Sequence, residues 1–342
     1  MSDQSSQKEL FDFPQDSSPN QKKVEEGEKP DVDVSEVDDD ALLEEYLQEA
    51  ERRYTEGGYN VVKRTLKKFQ DFLDGKNVAE AKLENVREFL WAETEEGIRE
   101  GTMKHRLSDL REMYRYFATY HPELNTPNLD GLSIKDFSTN LPEPIEREAL
   151  TKEEMDKLIN QPSNTRNRLI IAMLYYTGQR ANELANTKVD DVNLEERIVH
   201  VRAENAKLGK SRKVPIPRKL VSLIRTWLER DRPSYLGSQD SSCFFISKAS
   251  GGLCNREIAE IVKKNAEEAG IQEVLGEMSD GRKMHKVTPH ALRHTFATHL
   301  LNRGMRPEHV KELLGHEKLK TTMRYAKVKE EKAFESYDEV FR

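Results

Sequence analysis

Beyond Asp40 the apolar residues return every three or four positions, and only short stretches alternate one on, one off. That periodicity restricts the chain to a mainly α fold with little sheet. Val62, Leu66, Phe69 and Leu73 form one stripe, stopped by Gly75; Leu83, Val86, Phe89 and Leu90 form another. Met103, Leu107, Leu110, Tyr114 and Phe117 form a third. Together these stripes predict a small helical bundle over residues 41–135.

Residues 125–148 lose the periodicity and contain Pro127, Pro142 and Pro144, so an interdomain linker is expected, placed at 136–148. A capping box, Thr151 with Glu154, opens a second domain over 149–342. Helices are expected over 151–160 and 165–177, the latter stopped by Gly178. Residues 197–202 and 212–216 alternate around a polar, glycine-containing loop and predict a hairpin. Residues 243–247 (CFFIS) are expected to add a third strand, and the chain from Asn255 onward to be mostly helical. The fold class is therefore mainly α: an N-terminal helical bundle plus a mixed α+β domain with a small antiparallel sheet.

Composition narrows the functional classes. No apolar run is long enough to span a membrane. The opening residues lack the basic and apolar regions of a signal peptide, so a cytoplasmic location is expected. Two cysteines, Cys243 and Cys254, argue against a disulfide scaffold and a cysteine-built zinc site. The net charge of −7 misleads until it is located: residues 1–40 hold 13 Asp/Glu and 4 Lys, a net of −9, so the rest carries +2. Residues 1–40 read as a disordered acidic tail ending in Asp38, Asp39 and Asp40. The body is free to carry basic faces for phosphate binding. Basic residues on the bundle, Lys63, Arg64, Lys67 and Lys68, then Lys104, Arg106, Arg111 and Arg115, are candidates for them, although such runs are ordinarily solvated helix faces.

Four local patterns carry chemistry. In Thr177-Gly178-Gln179-Arg180-Ala181-Asn182-Glu183-Leu184 a helix stops and Arg180 stands at the start of the next, a cradle for an anion, with Glu183 placed to hold the arginine. The hairpin loop 206–213 carries Lys207, Lys210, Arg212 and Lys213; a lysine there can protonate a leaving alkoxide. In residues 288–300, Thr288 and Pro289 start a helix whose first turn holds His290 and Arg293, three apart on one face. Leu292, Phe296 and Leu300 anchor another face. His294, His299 and His309 invite a metal, but no His-Glu-x-x-His motif occurs and no metal site is expected. Finally, Gly315 ends a helix that starts at Pro307, His316 follows in the turn, and Tyr325 lies nine residues further on.

In this order, Arg, Lys, His-x-x-Arg, His and Tyr resemble the tyrosine recombinase (phage integrase) family, its Xer-like simple recombinases most of all. The resemblance spans about residues 41–342 and is strongest over 177–217 and 288–328. It implies a SAM-like core-binding domain followed by the catalytic domain. It also implies that Arg180 and Arg293 clamp a scissile phosphate beside His290, that His316 supports the transition state, and that Tyr325 is the nucleophile. Lys207 stands where the family's general-acid lysine stands, seven residues before Val214; Lys210 remains a rival for that role.

The resemblance further implies an enzyme that cuts and rejoins duplex DNA through a 3′-phosphotyrosine, for dimer resolution or for integration and excision of a mobile element. The covalent link stores the bond energy, so no cofactor, metal or ATP is expected. The implied partners are double-stranded DNA at specific sites and further copies of the chain, a dimer per site and a tetramer in synapsis, with no membrane, in the nucleoid. DNA contacts are expected from Lys63, Arg64, Lys67, Lys104, Arg106, Arg111, Lys210 and Arg212. An apolar stripe, Ala333, Phe334, Tyr337, Val340 and Phe341, is expected to form a last helix that docks on a neighbouring copy. A type IB topoisomerase and a DNA-binding regulator with a vestigial site are the competing readings.

Overall fold

The computed structural model describes residues 37–142, 145, 147–206, 209–247, 251–278, 281–323 and 325. Residues 1–36, Lys207 and the stripe from Ala333 to Phe341 lie outside the described residues. The chain divides into two compact units, Met1–Glu143 and Pro144–Arg342. Among the described residues no helix is long and apolar enough to cross a membrane.

Among its described residues the first unit contains four α-helices: α1 (Asp39–Arg53), α2 (Glu56–Phe72), α3 (Leu83–Glu95) and α4 (Glu100–Tyr120). The three sequence stripes supply its core. Val62, Leu66, Phe69, Phe89, Leu90, Met103, Leu107, Leu110 and Phe117 are all buried, and Phe69 meets Phe89 edge-on at 5.2 Å. Such burial of apolar area, about 25 cal/mol per Å², is what holds a bundle of this size together.

Two expectations are revised at its borders. Asp38 is not tail: its carboxylate caps α1 by accepting from the Ala41 N–H at 3.1 Å, and Asp39 Oδ1 accepts from the Val78 N–H at 2.8 Å. The expected linker also begins too early. Phe137, inside the expected 136–148, is buried in the bundle core together with Leu124, Leu129 and Leu132 of the expected bundle, and sits edge-on to Trp91 at 5.4 Å. Irregular segments hide this because a few well-spaced apolar residues suffice to dock them without any periodicity.

The second unit is built around α6 (Thr165–Thr177), in which Leu169 to Leu174 are all buried, so the helix is covered on every side. Before it lies α5 (Lys152–Asn160), opened by the expected capping box: Glu154 N–H donates to Thr151 Oγ1 at 3.1 Å and Thr151 N–H to Glu154 Oε2 at 2.8 Å. After it come α7 (Ala181–Ala185) and a three-stranded antiparallel sheet of β1 (Val192–Asn193), β2 (Ile198–Val201) and β3 (Arg212–Pro215), in that order. Val199 pairs with Val214 and Val201 with Arg212. The remaining elements are α8 (Arg218–Thr226), α9 (Asn255–Glu268), β4 (Val274–Glu277), β5 (Lys283–His285), α10 (Pro289–Asn302), α11 (Pro307–Leu314) and α12 (Leu319–Met323).

Here too the sequence reading is corrected. Residues 243–247 form no ladder; Cys243 and Ile246 make single bridges to Lys188 and Gly252, and β1 is the third strand. The stretch after Asn255 also contains the β4–β5 hairpin. Its strands are exposed or half-buried throughout, so no inside–outside alternation announced them.

Candidate active site

Three helix ends deliver the site. The first is the stop of α6. Gly178 adopts φ +60°, and a Cβ there would lie 2.4 Å from Phe296 Cδ1, so only glycine permits both the turn and the packing of α10 above it. The turn makes Arg180 the residue that opens α7. The second is the start of α10, where Thr288 Oγ1 accepts from the Ala291 N–H at 3.2 Å and Pro289 occupies the first turn. That start puts His290 on the wall of a cleft and drives Arg293 inside, 1% exposed. The third is the stop of α11 at Gly315, φ +64°, which sets His316 in the following turn.

Arg293 fastens two of these ends together. Its Nη1 donates to the Gly178 carbonyl at 2.6 Å and its Nη2 to the Leu314 carbonyl at 2.5 Å. Both acceptors lie at helix C-termini, where carbonyls lack intrahelical partners and the helix dipole favours a cation. Burial, then the charge of Arg180, pulls the Arg293 pKa down to about 9 despite Glu183 nearby.

Glu183 is the counter-charge. Its side chain is fully enclosed and meets three arginines. Oε1 accepts from Arg180 Nη1 at 2.7 Å and Arg212 Nη1 at 3.1 Å. Oε2 accepts from Arg212 Nη2 at 2.7 Å and the Arg180 N–H at 2.8 Å, and Arg293 Nη1 stands 3.8 Å away. Burial opposes ionisation, but the bond and charge of Arg212, then the Arg180 N–H and the Arg293 charge, outweigh it and bring the pKa to about 2. The group thus holds three guanidinium ions against one carboxylate, a surplus of positive charge that favours an anion.

The histidines sit in that field. Desolvation, then the charges of Arg293, Arg180 and Arg212, lowers the pKa of His316 to about 4, so it is neutral near pH 7. Its Nδ1 is 2.9 Å from Thr322 Oγ1 on α12. Desolvation and the charges of Arg293, Arg147 and Arg180 also hold His290 below the usual imidazole value. Tyr325, half-buried, packs its ring 4.8 Å from His294 and 6.1 Å from His316, and its N–H donates to the Thr322 carbonyl at 3.0 Å. Two clefts meet at Arg180. One, of about 380 Å³, is lined by Lys210, Arg212, Lys311 and His316; the other, of about 410 Å³, by Asn255, Thr288, His290 and Arg293. Arginine forks and neutral imidazoles around an open cleft are suited to holding an oxyanion and handling a proton at it.

The residues expected to touch DNA separate into two groups. Lys63, Arg64 and Lys67 are exposed on α2, Lys104 is exposed but paired with Glu100, and Lys210 is exposed at the first cleft. The expectation is revised for three others. Arg106 is buried, its Nε donating to Glu93 Oε2 at 2.8 Å and its Nη1 to Thr65 Oγ1 at 3.0 Å. Arg111 donates to the carbonyls of Leu129, at 3.1 Å, and Leu132, holding that loop on the bundle. Arg212 is turned inward onto Glu183. The contributions of Arg147, Lys311 and Thr322 escaped the sequence reading, since none carries a local pattern. Of the histidines that invited a metal, His294 packs on Tyr325, whereas His299 Nδ1 is 2.7 Å from the Tyr175 hydroxyl.

Known proteins resemble this chain in sequence and in fold. Residues 148–332 match the sequence model of the Phage integrase family. The tyrosine recombinase XerA of Thermococcus kodakarensis is 39% identical over 184 residues, 53% of this chain and 58% of that protein, so the chain spans little more than half of that relative. The tyrosine recombinase XerC of Oceanobacillus iheyensis is 31% identical over 303 residues, 86% of this chain and 92% of that one. Among solved structures, the Tn1549 transposon integrase in complex with transposon right end DNA shares the fold with a TM-score of 0.67, at 18% identity over 87% of this chain and 98% of that one. A match over more than half the chain, and a relative aligned along nearly all of its own length, place this protein in a family already indicated by the order of its arginines, histidines and tyrosine: the chain belongs to the phage integrase family and is similar to its Xer tyrosine recombinases.

Proposed function

We propose that the chain is a site-specific DNA strand-transferase. The Tyr325 hydroxyl gives its proton to a histidine base or to solvent as its oxygen attacks a backbone phosphorus, the bond from phosphorus to the 5′-oxygen breaks, and that oxygen leaves with a proton taken from the hairpin lysine. The product is a 3′-phosphotyrosine and a free 5′-hydroxyl; attack by a 5′-hydroxyl on the phosphotyrosine reverses the step and releases the tyrosine. Arg180 and Arg293 offset the charge that develops on the phosphoryl oxygens, His290 stands beside them, and neutral His316 accepts or donates a hydrogen bond there. Lys207, or Lys210 in its place, supplies the proton to the leaving oxygen. The observation that carries this reading is the joining of Arg180, Arg293 and the His316 turn through Glu183, Gly178 and Leu314, with the Tyr325 ring against the same turn.

The exposed cations of α2, with Lys104 and Lys210, supply phosphate contacts that position the duplex. Two dimers on two sites would exchange strands in turn, for dimer resolution or for integration of a mobile element. A nicked suicide duplex, from which the cleaved end diffuses away, tests the chemistry. The wild-type chain is expected to form a covalent adduct and Tyr325→Phe none. DNA binding without any adduct from the wild type would instead fit a regulator. Mapping the attachment positions of Tyr325 across genomic DNA then identifies the site and its purpose.

A further inference from the structure

Arg212 has no place in the chemistry above, yet it is among the most heavily bonded side chains of the site. It is the last paired residue of the β2–β3 hairpin, opposite Val201, and immediately follows the loop that carries Lys207 and Lys210. On β3 it shares a face with buried Val214, so strand alternation turns it inward while Lys213 and Pro215 point out. There its guanidinium does two things at once. Nη1 and Nη2 grip the two oxygens of Glu183 at 3.1 and 2.7 Å, and Nε donates to the Leu313 carbonyl at 2.8 Å, two residues before the Gly315 stop. The fit over that stop is close: a Cβ on Gly315 would lie 3.1 Å from Arg212 Nη1.

We propose that Arg212 is a positioning residue that locks the lysine-bearing hairpin onto the arginine pair and the His316 turn. The hairpin's ordinary ladder cannot do this. It ends at Arg212, and holding a lysine in one place on a loop as long as residues 202–211 carries an entropic cost that the ladder does not offset. Lys210 and Ser211 reach the cleft of Arg180 and His316 directly beside this anchor. Arg180 keeps its own bonds to Glu183, and Arg293 is held by the Gly178 and Leu314 carbonyls, so the arginine pair stays in place and the part that Arg212 fixes is the hairpin. Placement errors near 1 Å in such a constellation cost about 100-fold in rate. A lysine is a poor replacement for Arg212, since one ammonium offers no planar fork to match both oxygens of Glu183 while also reaching the Leu313 carbonyl.

The inference rests on the proposed cleavage at Tyr325 and is tested beside it. Single-turnover cleavage is measured on the nicked suicide duplex and on the same duplex with sulfur replacing the bridging 5′-oxygen, whose thiolate leaves without a proton. The wild type is expected to form an adduct on both. Arg212→Gln is expected to cut the ordinary duplex about 100-fold more slowly, the share of a general acid. It should keep DNA affinity near that of the wild type and recover most of the loss on the sulfur duplex. Arg212→Lys, which keeps the charge and so protects the fold, is expected to show the same pattern, with no rescue by the conservative change. Wild-type rates in either variant, or an equal deficit on both duplexes, overturn the positioning role while leaving the proposed function standing. Absence of an adduct from the wild type overturns the function, and this inference with it.

Discussion

Arg293 Nη1 donates to the Gly178 carbonyl across 2.6 Å, joining the first turn of one helix to the stop of another 115 positions earlier. With Nη2 on the Leu314 carbonyl, one buried side chain satisfies the ends of α6 and α11. Arg293→Ala therefore removes more than a charge. It strands two enclosed carbonyls and takes one cation from Glu183, and it is expected to destabilise the second unit by about 3–5 kcal/mol, the range for breaking a buried ionic network. Urea unfolding followed by a probe in that unit measures it. Unchanged stability would mean the carbonyls find other partners.

Gly178→Ala tests the close approach that aims Arg180. The left-handed backbone costs a non-glycine residue about 1–2 kcal/mol. The added methyl meets Phe296 Cδ1 at 2.4 Å, so overpacking adds about 1–3 kcal/mol. If the clash is the cause, Phe296→Leu in the same chain recovers part of the loss, and a double-mutant cycle shows a favourable coupling between the two positions. Additive effects would place the cost entirely in the backbone.

The sequence made much of this site legible because its key turns are built from short-range chemistry. Gly178 and Gly315 as stops, Thr288 and Pro289 as a start, and Thr151 with Glu154 as a capping box all follow from neighbours within a few residues. What stayed hidden depends on contacts between distant segments. Arg106 and Arg111 sit in a run of cations that looks solvated, and only the fold brings Glu93 and the carbonyl of Leu129 to them. Arg212 was closer to readable: alternation with buried Val214 points it inward, and an inward arginine requires an acid, but nothing local said that the acid would be Glu183, which the sequence had already assigned to Arg180. The second hairpin, β4–β5, carried no signal at all, because neither face of it is consistently buried.

His316 gives the pH dependence. Its pKa in the folded chain is about 4, against 6.5 for an ordinary imidazole, with desolvation the leading cause and the arginines next. Between those two values the unfolded chain binds a proton that the folded chain does not, so this group's contribution to stability is complete above pH 6.5 and falls as pH drops toward 4. Proton NMR of the imidazole in the DNA-free protein is expected to show no titration near pH 6.5. Arg293→Gln removes the cation that ranks next after desolvation and should move the midpoint upward. A midpoint near 6.5 in the unaltered chain would show that the guanidinium cluster does not act on this ring.

The basic residues of the first unit are separable by partner. Lys63, Arg64 and Lys67 are exposed on α2, whereas Arg106 lies inside, against Glu93 and Thr65, in a network that also holds Asp109 and Lys68. Changing Lys63, Arg64 and Lys67 together to Gln is expected to leave stability within about 0.5 kcal/mol. The same change should weaken binding to any duplex and flatten the dependence of log affinity on log salt by about 0.9 for each phosphate that is no longer neutralised. Arg106→Gln should do the reverse. It leaves the enclosed Glu93 carboxylate short of a partner and costs about 3–5 kcal/mol of folding free energy, while the salt dependence of the fraction still folded stays that of the wild type. Affinity measured over a salt series, alongside urea unfolding of each variant, distinguishes the two. If Arg106→Gln changed the salt slope without loss of stability, the side chain would have to leave its buried partners to reach phosphate, and the interior network would be the wrong description of how that residue serves the protein.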